Sequence, residues 1–180
     1  ILQALGVEDY GIYNAVGGVV AMFSIISGSL SAAISRYLTY EIGIGNKQKL
    51  NIIFCTSVNI QIVMSLIVMV IAEVVGVWFL NTKMNIPANR LYSANWVLQC
   101  SIITFMVNLI SVPYNSLIIA HEKMSAFAYI SILEVILKLV ICYLLCLFPG
   151  DKLILWSVLL MSVSLIMRIV YGYYSKHHFK

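Results

Sequence analysis

The stretch Ser125–Phe148, SAFAYISILEVILKLVICYLLCLF, is apolar except for Glu134 and Lys138, and it leaves the chain few ways to fold. A helix rises about 1.5 Å per residue and crosses the bilayer hydrocarbon in roughly 20 residues, so this run is long enough to span. An ionisable side chain at that depth costs about 2.5–3.5 kcal/mol on insertion scales and turns toward protein or a wet cavity rather than lipid. Glu134 and Lys138 stand four apart, share one helix face and can pair. The other segments either shield that polar face or extend it.

Composition shows that the run is not an isolated case. Hydrophobic residues make up 62% of the chain and charged residues 10%, with a mean hydropathy of +0.97. No soluble domain of 180 residues can bury that much apolar surface, so lipid must solvate most of it. The expected fold is an all-α membrane protein: five spans at about 11–37, 50–80, 93–120, 125–148 and 153–174, forming a single bundle over 1–180 with no soluble domain between them. The net charge of +4 is spread thinly and forms no basic run with interleaved aromatics, so the chain is not expected to bind nucleic acid. Cys55, Cys100, Cys142 and Cys146 all lie in apolar segments without a partnering histidine, and are expected to be small buried hydrophobes rather than metal ligands. The chain begins at Ile1 with neither an initiator Met nor a basic leader, so the expectation is a piece of a longer polypeptide with no signal peptide.

Two spans carry polar stripes. In the first, Asn14, Gly17, Ala21, Ser24, Gly28, Ser31 and Ser35 alternate three and four apart and mark one continuous helix face. Such small residues let a second backbone approach closely or, along part of the stripe, line a pore. In the third span Ser101, Thr104, Asn108, Ser111 and Asn115 repeat the spacing. Asparagine is costlier to bury than Gly or Ala, so here a hydrated lumen and interhelical hydrogen bonds are both open readings. Pro113 is expected to kink that helix, because it removes a backbone donor and crowds the preceding turn. The second run is longer than one crossing needs and holds Glu73. The last carries Ser157, Ser164, Arg168, Tyr171 and Ser175 on one face, with Arg168 near enough to the end for its stem to snorkel. The tail SKHHFK is short and basic, and His177 and His178 are expected in water. Gly43, Gly45 and Asn46 are expected to break the chain after the first span, and Pro87 punctuates the loop before the third.

Loop charge gives an orientation. One side would hold Arg36, Lys47, Lys49, Lys123, Arg168, Lys176 and Lys180; the other only Lys83, Arg90 and Lys152. The positive-inside rule then puts the tail in the cytoplasm. Glu134 would lie about 14 Å and Arg168 about 10 Å from that side at the helical rise, with Lys138 deeper. We therefore expect Glu134, Lys138 and Arg168 to form one inward-facing charged cluster.

Several strings carry a resemblance to a known family: LGVEDYGIYNAVGG with SAAISRYLTYEIGIGN, then AEVVGVWFLNTKMNIP, SVPYNSLIIAHEKM and AYISILEVILKL. Together and in this order they resemble polysaccharide flippases of the Wzx type, within the multidrug/oligosaccharidyl-lipid/polysaccharide (MOP) superfamily. The resemblance covers nearly the whole chain. It implies a two-lobe transporter around a central lumen, with this chain supplying helices two to six of the first lobe. Helix one and the second lobe of the same transporter would be further parts of the assembly.

The resemblance also implies transport of an undecaprenyl-diphosphate-linked oligosaccharide across the bacterial inner membrane by alternating access, with no bond made or broken and no cofactor or metal. Lumen cations would meet the diphosphate and polar side chains would replace water around the sugar. Lys138, Arg168 and Arg36 are the available cations; Asn108, Ser111, Tyr114 and Asn115 are the candidate sugar contacts. Glu73 and Glu134 are candidates for coupling to H+ or Na+, because buried carboxylates titrate at raised pKa; alternatively Glu134 only neutralises Lys138. Three other functions stay open: a multidrug or cation antiporter of the same superfamily, a lipid II flippase, and a membrane scaffold subunit that transports nothing. No nucleophile–base spacing or carboxylate pair within one span suggests an enzyme.

Overall fold

The computed structural model describes residues 6–22, 24–82, 90–147 and 151–178. Regular structure among them is helical throughout: α1 (Val7–Ala21), α2 (Ser24–Ile44), α3 (Lys47–Thr82), α4 (Leu91–Ala120), α5 (Met124–Leu147) and α6 (Lys152–His178). Lipid offers backbone groups no hydrogen bonds, and helices satisfy those groups internally. Four stretches are long and apolar enough to cross a membrane: Lys47–Thr82, Leu91–Ala120, Met124–Leu145 and Lys152–His177. Pro87 and Lys83 lie outside the described residues.

The expected first span comes as two helices rather than one. α1 ends at Ala21, Met22 is a turn residue, and α2 begins at Ser24. α1 starts beside Arg90, and α2 ends where Leu38 joins Leu117 and Ala120 in a buried cluster. The pair thus runs from one end of the bundle to the other in two pieces, and its seven-residue stripe no longer lies on a single helix.

The turns follow from local chemistry. Gly45 takes φ +78°, while its N–H donates to Ile42 O and the Asn46 N–H to Glu41 O, at 3.1 and 3.2 Å. This is the double bond of a Schellman cap, which needs a left-handed residue and favours glycine. Asn46 then caps α3, its Oδ1 accepting from Lys49 N at 3.1 Å. Gly43, expected as a breaker, is still helical. The same cap closes α4, with Glu122 in glycine's place at φ 56° and bonds of 2.9 and 3.2 Å from Glu122 N to Ile119 O and Lys123 N to Ile118 O. α6 continues through Ser175 and Lys176 to His178, so the basic tail is largely helical; exposed His177 stacks on Tyr173 with ring centroids 6.2 Å apart.

α4 is central and packs against every other described helix. Against α3 the contact is dry and close. Val97 and Ala94 are fully buried, and a Cβ on Gly76 would sit 3.2 Å from Leu98. α3 and α5 instead turn large apolar side chains outward, among them Val70, Val74, Val135 and Leu139. Exposed aromatics gather toward the two ends: Tyr40, Tyr129 and Tyr173 at the end where the tail leaves, and Trp78, Tyr92 and Tyr143 at the opposite end. Aromatic rings concentrate in this way where a bilayer meets water.

At the end opposite the tail, three helix starts are tied together. Arg90 reaches Asp9 at 3.5 Å and Asp151 at 3.4 Å. Asp151 also accepts from Ser93 Oγ at 2.7 Å and from Leu153 N at 3.2 Å, so one carboxylate caps α6 and holds the start of α4. Sequence reading assigned none of these three residues to this role.

Candidate functional site

The α4 stripe lines open space. Ser101, Thr104, Asn108, Ser111 and Asn115 all stand on the walls of a groove formed with α1, α5 and α6. The groove has two adjoining parts of about 190 and 380 Å3. A single water needs only about 10–15 Å3, so both parts are wide enough to be wet. The stripe thus borders open space along its length, while Ser111 Oγ donates to Val107 O on its own helix. Ser116, beside the stripe, makes the interhelical contact instead, 3.3 Å from Ser31 on α2.

Glu134 and Lys138 face the larger part. Lys138 Nζ donates to Glu134 Oε1 at 2.6 Å, and their side chains are 51% and 37% exposed, so the pair is paired but not sealed. In lipid an unpaired ammonium at this depth would be expensive; pairing along the helix face and opening onto a groove both reduce that cost. Tyr171 and Ser164 of α6 stand across from the pair, and Tyr13 of α1 completes the wall. Asn115 Oδ1 is buried and accepts no hydrogen bond among the described residues, which leaves an acceptor at the groove wall for a ligand or water donor.

Arg168 departs from the expected cluster. Its guanidinium lies 4.0 Å over the Tyr114 ring, and Tyr114 meets Phe54 edge-on at 5.2 Å. The side chain also lies back along its own helix, with Nη1 3.3 Å from where a Cβ on Gly172 would be. Arg168 thus reaches one turn nearer the tail, as a snorkelling base does, and the aromatic face holds it there. Neither it nor Tyr114 is on the groove walls, so the three-charge cluster reduces to the Glu134–Lys138 pair.

The remaining candidates lie elsewhere. Arg36 is exposed on α2, away from the groove. Glu73 accepts from Gln99 Nε2 at 2.9 Å across the α3–α4 contact. Pro113 is fully buried in α4, which runs through it without a break; its missing N–H leaves the Leu109 carbonyl without its helical donor. Among the cysteines whose side chains are described, Cys100 is buried, Cys55 exposed and Cys142 half-buried; Cys146 lies outside them. Among the described residues no cluster of three or more His, Cys, Asp or Glu is placed to hold a metal ion.

The stripe of the first span divides between its two readings. Gly17 lines the groove and Ser31 packs, whereas among the described residues nothing from another helix lies within 4 Å of where a Cβ on Gly28 would be. Tyr13 is the residue that sequence reading missed. It borders both parts of the groove and meets Trp156 edge-on, with ring centroids 6.1 Å apart. Its position four residues before Gly17 is the signal that would have put it on the same face. Gln61 was also missed. It is fully buried on α3 between Ser57 and Ser65, and both amide atoms lack partners among the described residues. Compared with family models, curated proteins and solved structures, the chain matches none.

Proposed function

We propose that this chain is part of a membrane transporter that moves a lipid-linked oligosaccharide, carried on undecaprenyl diphosphate, by alternating access. The reading includes the Wzx-type resemblance, a bacterial inner-membrane location and a cytoplasmic tail. The observation that carries it is the groove: a polar wall on α4 facing Lys138 and Glu134 in the middle of long apolar helices. A half-exposed ammonium can exchange its intrahelical carboxylate for a diphosphate, and the short polar side chains of α4 can replace water around hydroxyl groups. No bond need be made or broken. H+ or Na+ coupling would fall to Glu134, the acid that shares the groove.

A cation antiporter is the second reading, favoured by Glu134 beside the rings of Tyr13 and Tyr171. The intact transporter in proteoliposomes separates the two. Net movement of a lipid-linked glycan, without movement of a cationic dye, supports the first reading; the reverse result overturns it.

A further inference from the structure

The two parts of the groove differ in charge. They share Tyr13, Thr104, Asn108 and Leu160. The larger part, toward the tail, contains Glu134 and Lys138. The smaller, toward Arg90, adds Ser101, Phe105 and Ser157 and has, among the described residues, no Asp, Glu, Lys, Arg or His on its walls. An anion in the smaller part would be desolvated without a cationic partner, which is costly. A neutral group rich in hydroxyls meets the opposite situation: Ser101, Thr104 and Asn108 offer donors and acceptors, and the rings of Tyr13 and Phe105 offer apolar faces to its C–H surface.

We propose that the groove takes a two-part ligand in one orientation. The anionic group sits at Lys138 in the tail-side part, and a neutral sugar ring sits in the part toward Arg90, against Tyr13 and Phe105. The orientation rests on the proposed function. It goes beyond it by moving the sugar subsite away from Ser111, Asn115 and Tyr114, toward Ser101 and Thr104. Tyr13, Thr104 and Asn108 then stand at the junction of the two ligand parts.

The test uses the intact transporter with its cysteines replaced by alanine and a single thiol returned as Ser101→Cys or Ser164→Cys. Maleimide labelling is followed with undecaprenyl diphosphate or with the same lipid bearing one N-acetylglucosamine. At a lipid concentration near ten times Kd, an occluded thiol reacts about tenfold more slowly. We expect both lipids to protect Ser164→Cys and only the sugar-bearing lipid to protect Ser101→Cys. Equal effects of the two lipids at Ser101→Cys, or no reaction there even without lipid, overturn the orientation while leaving lipid binding at Ser164→Cys intact. If neither lipid protects Ser164→Cys, the proposed function fails and the orientation with it.

Discussion

The two sides of α4 are built from similar residue types and behave in opposite ways. Toward α3, the helix meets a face carrying Ser57, Gln61, Ser65, Ala72 and Gly76, all buried. Toward α5 and α6, its own Ser101, Thr104, Asn108, Ser111 and Asn115 stand on a groove. On the first side Gly76 lets Leu98 approach; serines on both sides donate to their own helix, Ser57 Oγ to Ile53 O and Ser65 Oγ to Ile62 O on one, Ser111 Oγ to Val107 O on the other. On the second, Tyr13, Leu160 and Tyr171 stand around open space, while Trp156 and Tyr171 pack into a buried cluster beside it. Polar spacing alone therefore does not distinguish a dry seam from a wet one. The side chains that the neighbouring helices bring against the face decide it.

The largest effect that would break this contrast is expected at Lys138. Lys138→Glu places two acids four apart on the groove wall, and like-charge contacts cost several kcal/mol. On the proposed function, glycan transport by the intact polypeptide should fall about a hundredfold or more; unchanged transport would remove the groove from that proposal. Next come paired glycine changes. Gly76→Leu overpacks the dry seam and should cost about 1–3 kcal/mol. Gly17→Ala on the groove side meets nothing from another described residue within 4 Å and should shift stability by less than about 1 kcal/mol, in the stabilising direction. Unfolding in mixed micelles would measure both, and equal losses would mean that the seams do not differ.

Gln61 sharpens the comparison from the dry side. An unpartnered buried amide carries a desolvation penalty of about 1–3 kcal/mol, so Gln61→Leu should leave stability unchanged or raise it by that amount. Asn108→Leu in the groove should impair transport instead. A clear loss of stability in Gln61→Leu would show that the amide has a partner in the membrane. The smallest effect is expected at Glu122. A left-handed non-glycine residue costs about 1–2 kcal/mol, and Glu122→Gly should return up to about that much in the same unfolding measurement.

Much of the architecture was legible in the sequence. Apolar runs of spanning length marked the helices now seen as α3 to α6, and the Gly45–Asn46 turn followed from residues that favour a left-handed cap and an N-cap. The α4 stripe was legible too, because polar residues three and four apart must share a face. The break at Met22 was not, since the first span reads as one apolar run with small residues throughout. Nor was the Asp9–Arg90–Asp151 tie, whose members are separated by loops that sequence spacing does not measure.

The sequence by itself determined that lipid would be the solvent, where helices would form, and that Glu134 would pair with Lys138, because these depend on composition and on neighbours along one helix. The tertiary structure decided which stripe borders a groove, drew Tyr13 to it, and laid Arg168 over Tyr114 instead of beside Glu134. Those outcomes depend on the shapes of residues brought together from different helices, and the one-dimensional pattern carries no record of how closely two backbones can approach.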